Sequence, residues 1–104
     1  MGTNGIVFDA LGDWTRRQIL EALRRGPSSV GALAAGLPVS RPAVSQHLRV
    51  LEEAGLVAHQ RHGTRNIYEL DSAGVHALRD WVDGLWNEAL ARFKATAEAK
   101  GEAG

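Results

Sequence analysis

Ser45, Gln46 and Arg49 are the side chains of this sequence best equipped for chemistry with a nucleic acid. They lie in Ser40–Ala54, SRPAVSQHLRVLEEA. At about 100° per residue, Val44, Leu48 and Leu51 form one apolar face, and Pro42, Ser45, Gln46, Arg49 and Glu53 form the opposite one. Ser, Gln and Arg side chains reach base edges in a major groove, where Gln suits adenine and Arg suits guanine. An ordinary solvated helix face carries the same residue types, so the flanking sequence has to decide. Downstream, Arg61 and Arg65 bracket His62-Gly63-Thr64, a pattern suited to phosphate contact or to a minor groove.

Other chemistries find less support. The chain has no cysteine, which excludes disulfides, thiolate metal sites and thiol switches. His59 and His62 have an HxxH spacing, but on a strand such positions point to opposite faces. His76, Asp80 and Asp83 share a helix face, which reads as a solvated acidic patch or the remnant of a metal site; three such ligands are thin for zinc. No nucleophile–base–acid set, phosphate-binding glycine loop or metal-hydrolase motif is present, so neither an enzyme nor a bound cofactor or metal is expected.

The elements that must position these residues follow from local signals. Gly5–Leu11 is a short apolar helix. Asp13 caps a second, Trp14–Arg25, with Ile19, Leu20 and Leu23 inward. Arg16 and Arg17 oppose its dipole and need a partner: a structural salt bridge, as to Asp13, is expected ahead of another subunit or phosphate. Pro27-Ser28-Ser29 is an extended link. Ser29 caps a third helix, Val30–Ala35, with Val30, Leu33 and Leu37 inward. Ser40 caps the fourth, Pro42 sits in its first turn and Gly55 closes it. Leu56–Arg61 and Arg65–Leu70 form a β-hairpin around Gly63. Asp71 caps a last helix, Ala73 to about Lys94. The expected fold is mainly α with a small hairpin, ordered α-α-α-α-β-β-α: a helix-turn-helix followed by a basic wing.

Along the last helix Val75, Leu78, Val82, Leu85, Trp86, Ala89 and Phe93 recur at spacings of three and four, and Trp81 and Leu90 widen the stripe. So small a domain cannot bury all of this, and a dimer through this helix is expected. Residues 1–94 then form one domain, and 95–104, lacking an apolar anchor, a frayed tail.

The 104 residues suffice for one modest core. No apolar run suits a membrane span and no signal-peptide pattern opens the chain, which points to a cytoplasmic protein. Net charge is zero but uneven. Residues 1–65 hold eight arginines against five carboxylates, and residues 66–104 hold four basic against seven acidic side chains. A basic front and an acidic back suit docking on a polyanion.

The stretch FDALGDWTRRQILEALRRGPSSVGALAAGLPVSRPAVSQHLRVLEEAGLV, followed by RHGTRNIYEL, resembles the ArsR-type family of winged helix-turn-helix repressors from about Val7 to Trp86. The resemblance implies a homodimer that binds an inverted-repeat, double-stranded DNA operator, often at its own promoter. Carried over by position, operator contacts come from Ser40, Arg41, Pro42, Ser45, Gln46, His47 and Arg49, with Arg61, Gly63 and Arg65 from the wing. Trp14 stands where the family usually has Pro. The cysteines of the usual metal-sensing sites are absent, which places the chain near the metal-independent branch, often autorepressors. A small-molecule inducer near Trp81 and Trp86 is a variant of this reading. The competing one is a winged helix used as a protein-interaction module, against which the polar recognition face and basic wing argue.

Overall fold

The computed structural model describes the backbone of residues 3–103 and the side chains of residues 5–98. Its order is α1 (Thr3–Leu11), α2 (Trp14–Leu23), β1 (Ser28–Ser29), α3 (Val30–Ala35), α4 (Arg41–Glu53), β2 (Val57–His62), β3 (Arg65–Leu70) and α5 (Ser72–Ala103). Met1, Gly2 and Gly104, at the ends of the predicted domain and tail, lie outside the described residues.

The core forms where the apolar stripes of the first four helices meet. Val7 and Ala10 of α1, Ile19 and Leu23 of α2, Leu33 of α3 and Val44, Leu48 and Leu51 of α4 are buried together. Leu20, Val30 and Leu37 pack at its margin. Helix α4 starts and stops on its own side chains. The Ser40 hydroxyl accepts from the Ala43 amide at 3.3 Å, and Pro42 occupies the first turn. At the other end Gly55 has φ 74°, and the Gly55 and Leu56 amides donate to Glu52 and Leu51, each at 3.0 Å. This is a Schellman closure, which sets Leu56 against the core as the chain leaves the helix.

Three local expectations are corrected. The link at Ser28–Ser29 is a strand, β1, paired antiparallel with Tyr68 and Ile67 of β3, so the hairpin is part of a three-stranded sheet ordered β1-β3-β2. Two serines carry no periodicity; only the partner strand makes them β. Among the described residues Arg16 and Arg17 do not pair with a carboxylate. Arg16 donates to the Ala10 carbonyl at 2.7 Å and the Asp9 carbonyl at 3.0 Å, and Arg17 to the Leu11 carbonyl at 2.8 Å. They satisfy the open C-terminal carbonyls of α1 and favour its dipole, which offsets their position at the start of α2. Finally, α5 runs to Ala103 instead of stopping near Lys94, because the Ala-, Lys- and Glu-rich sequence there favours helix.

The first turn of α5 docks on the closure of α4. Asp71 donates its amide to Leu56 at 2.9 Å, Gly74 donates to Gly55 at 2.7 Å, and the Asp71 carboxylate accepts from the Ala73 amide. Leu78 packs on the core and Trp81 meets Phe8 of α1; beyond them α5 projects into solvent, giving the molecule dimensions of 70 × 27 × 24 Å. No described helix is long and apolar enough to cross a membrane.

Candidate nucleic-acid interface

Helix α4 turns Val44, Leu48 and Leu51 fully inward, which fixes what it turns outward. Pro42, Ser45, Gln46 and Arg49 are exposed, on the face expected from the periodicity, and so are Ser40 and Arg41, which the resemblance adds. Arg49 lies 3.5 Å from Glu53 one turn on, with both groups open to solvent. Exposed pairs of this kind contribute little, so Arg49 is free to exchange partners.

His47 departs from this set. Its ring is half-buried, with Nδ1 3.9 Å from the Asp13 carboxylate at the start of α2. Asp13 is the cap of that helix and accepts from the Arg16 amide at 2.9 Å. That bond holds the Asp13 carboxyl below its ordinary value of 3.8; partial burial opposes the shift, and the charges of His47 and Arg16 assist it. His47, expected among the DNA contacts, thus lies beside the cap of α2 and is less exposed than its neighbours on the open face.

The hairpin registers His62 opposite Arg65, leaving Gly63-Thr64 as a two-residue turn. Gly63 has φ 64°, and no described non-glycine residue has positive φ. This is the type II′ requirement, a glycine at the first central position. Arg61 donates Nε to the Gly63 carbonyl at 3.1 Å, fastening the turn. Arg61 and Arg65 alternate to opposite faces of the hairpin, so the tip presents a cation on each side.

Between the tip and the helix pair lies a groove of about 650 Å³. It is lined by the start of α3, by Arg41, Pro42 and Ser45 of α4, and by Thr64, Arg65 and Asn66 of the wing. Arg41 lies over Gly31, its guanidinium 3.5 Å from where a Cβ would stand. Among the described residues neither Arg41 nor Arg65 has a carboxylate within 4 Å. Arg41 and Arg65, 24 positions apart in sequence, thus line one groove together with Ser29, Ser45, Thr64 and Asn66. Thr64 and Asn66 were not anticipated; their only sequence signal is adjacency to Arg65.

The metal readings find no geometry. No three His, Cys, Asp or Glu side chains gather into a site among the described residues. Asp83, grouped by sequence with His76 and Asp80, is 3.8 Å from Arg79.

A helix pair, an exposed polar second helix and a basic hairpin directly after it define a winged helix-turn-helix protein. Residues 13–59 match the family described as bacterial regulatory protein, arsR family. The chain is 50% identical over 96 residues to the HTH-type transcriptional regulator Rv2034 of Mycobacterium tuberculosis, covering 92% of this chain and 90% of that one. It is 33% identical over 82 residues to the transcriptional repressor SdpR of Bacillus subtilis, covering 79% and 91%. It also superimposes with a TM-score of 0.67, at 31% identity, on the homodimeric winged helix-turn-helix domain Mb0332 of Mycobacterium bovis, a possible ArsR-family regulator, covering 86% and 83%. The chain belongs to the ArsR family and is a transcriptional regulator, not an enzyme.

Proposed function

We propose that two copies of the chain bind an inverted-repeat operator and repress transcription from it. Each α4 enters a major groove and reads bases with Ser45, Gln46 and Arg49. Arg41 and Arg65 clamp the phosphate backbone between them, and Arg61 follows it on the other side of the wing. The carrying observation is that Arg41 and Arg65, neither with a carboxylate within 4 Å among the described residues, line one groove beside the exposed face of α4. Phosphate contacts of this kind position a protein on DNA, and the helix side chains supply sequence preference. Repression is supported by the relative named as a repressor, and pairing of two copies by the homodimeric structural relative.

The test is selection of bound genomic fragments by purified protein at fixed, near-physiological salt, run in parallel with Gln46→Ala and Arg65→Ala. The wild type should enrich an inverted repeat with half-sites about one helical turn apart. A repeat upstream of the chain's own gene would make it an autorepressor. Gln46→Ala should change which base is preferred within each half-site, at about 1–3 kcal/mol. Arg65→Ala should weaken all sequences alike. A folded dimer that enriches nothing over random fragments would refute the reading.

A further inference from the structure

At its root the hairpin packs on the core through Val57 and Tyr68. Beyond Val57, which is buried, residues 59–66 of the hairpin are exposed. Strand β1 pairs with β3 only at Ile67 and Tyr68. Among the described residues a single side-chain hydrogen bond ties the hairpin to a helix: His59 Nδ1 to the Glu52 carboxylate in the last turn of α4. The only other hairpin side-chain bond, Arg61 to Gly63, stays within the turn. His59 is registered opposite Tyr68, and the two rings lie 5.1 Å apart at 32°. Alternation puts Val57, His59 and Arg61 on the same face of β2, the face that meets α4. One imidazole therefore touches α4, β2 and β3 at the root from which the tip projects.

We infer that Glu52, His59 and Tyr68 form a strut that sets the angle of the wing against the recognition helix, making His59 a positioning residue for the phosphate contacts at the tip. The inference rests on the DNA-binding reading above. An ionised carboxylate accepts and cannot donate, so Nδ1 carries the proton in this bond. Both side chains are more than a third exposed (39% and 37%), so the bond adds little to folding. Its consequence is geometric: a lever of several residues pivots where the bond is lost.

Glu52 gives the strut a signature of sign. Removing a carboxylate from a DNA-binding surface ordinarily raises affinity for a polyanion. The strut requires Glu52→Ala to lower it. The experiment measures operator affinity against salt for the full-length wild type, Glu52→Ala, His59→Ala and the double variant, each with and without Arg65→Ala. Both single variants should weaken operator binding, and the double variant should be no worse than either. The slope of log affinity on log salt should flatten by about two units per dimer. Arg65→Ala should cost about tenfold in the wild type and less than about twofold once the strut is gone. His59→Asn, which retains a donor near the Nδ1 position, should restore part of the loss.

A tighter-binding Glu52→Ala, or an Arg65→Ala penalty equal in both backgrounds, would overturn the strut while leaving operator binding intact. Failure of the wild type to bind DNA would instead remove the reading beneath it. If one single variant unfolds, the other, at the opposite end of the same bond, carries the comparison.

Discussion

Asp13 shows how one side chain near the DNA face serves the scaffold instead. It caps α2 through the Arg16 amide and receives His47 from α4. Arg16 itself reaches back to α1, so three helices meet at two residues. Because the folded state lowers the Asp13 carboxyl below 3.8, the charged form is favoured on folding. The linked stability is fully present above the unfolded value and is lost as pH falls through the folded one. Asp13→Ala should therefore melt below the wild type at neutral pH, with a gap that stays constant down to about pH 4 and closes in more acid solution. Thermal melts from pH 7 to pH 2 check this. A gap that persists at the acid end would show that the carboxylate's charge contributes nothing there.

At the scale of elements, the joint between α4 and α5 is the least forgiving place in the fold. A Cβ on Gly74 would stand 2.8 Å from the Ala54 carbonyl oxygen and 2.9 Å from that of Gly55, both backbone atoms that cannot step aside. A Cβ on Gly84, farther along the same helix, meets nothing within 4 Å. Helix propensity favours alanine at both positions by about 1 kcal/mol. At Gly74 that gain is opposed by an overpacking cost of about 1–3 kcal/mol and by strain on the 2.7 Å bond to Gly55. Denaturant unfolding at one protein concentration should give opposite signs: Gly74→Ala destabilised, Gly84→Ala stabilised by up to about 1 kcal/mol. The same joint shows where the sequence was readable. Helix α4 could be drawn in advance, since Ser40, Pro42 and the Val44–Leu48–Leu51 stripe are local signals and the structure uses each. What is missing from a linear reading is made by distant partners. Strand β1 exists through β3, Arg16 and Arg17 serve α1, and Gly74 is needed because of Gly55. The exposed polar face of α4 was legible for that reason, and the groove was not: Arg41 and Arg65 come to line it only once the hairpin has folded back beside α3.

For the whole molecule, α5 is the unpartnered surface of the single chain. Its 32 residues span about 48 Å at 1.5 Å per residue, and most of that length touches nothing in its own fold. Trp86 is 62% exposed and Phe93 78%, with Val82, Leu85 and Leu90 open beside them. On α1, Ile6 and Phe8 are exposed too, and Phe8 meets Trp81 edge-to-face at 4.9 Å. An apolar strip of this extent marks an association surface. A second copy is the occupant that the proposed operator requires, because an inverted repeat is matched by a two-fold dimer. Of the residues expected at that interface, Leu78 is partly buried against its own core, whereas Val75, Val82, Leu85, Trp86, Ala89 and Phe93 are exposed. Leu85→Glu places a charge at the middle of the strip and touches neither the core nor α4. Sedimentation should then give the 11.2 kDa monomer, where the wild type gives twice that mass. The monomer should keep its melting behaviour in α1–α4 but lose about 10²-fold or more in operator affinity, since the second half-site is no longer held at high effective concentration. A Leu85→Glu protein that remains dimeric would move the interface off α5, and one that turns monomeric yet binds the operator as tightly would show that each half-site is read alone.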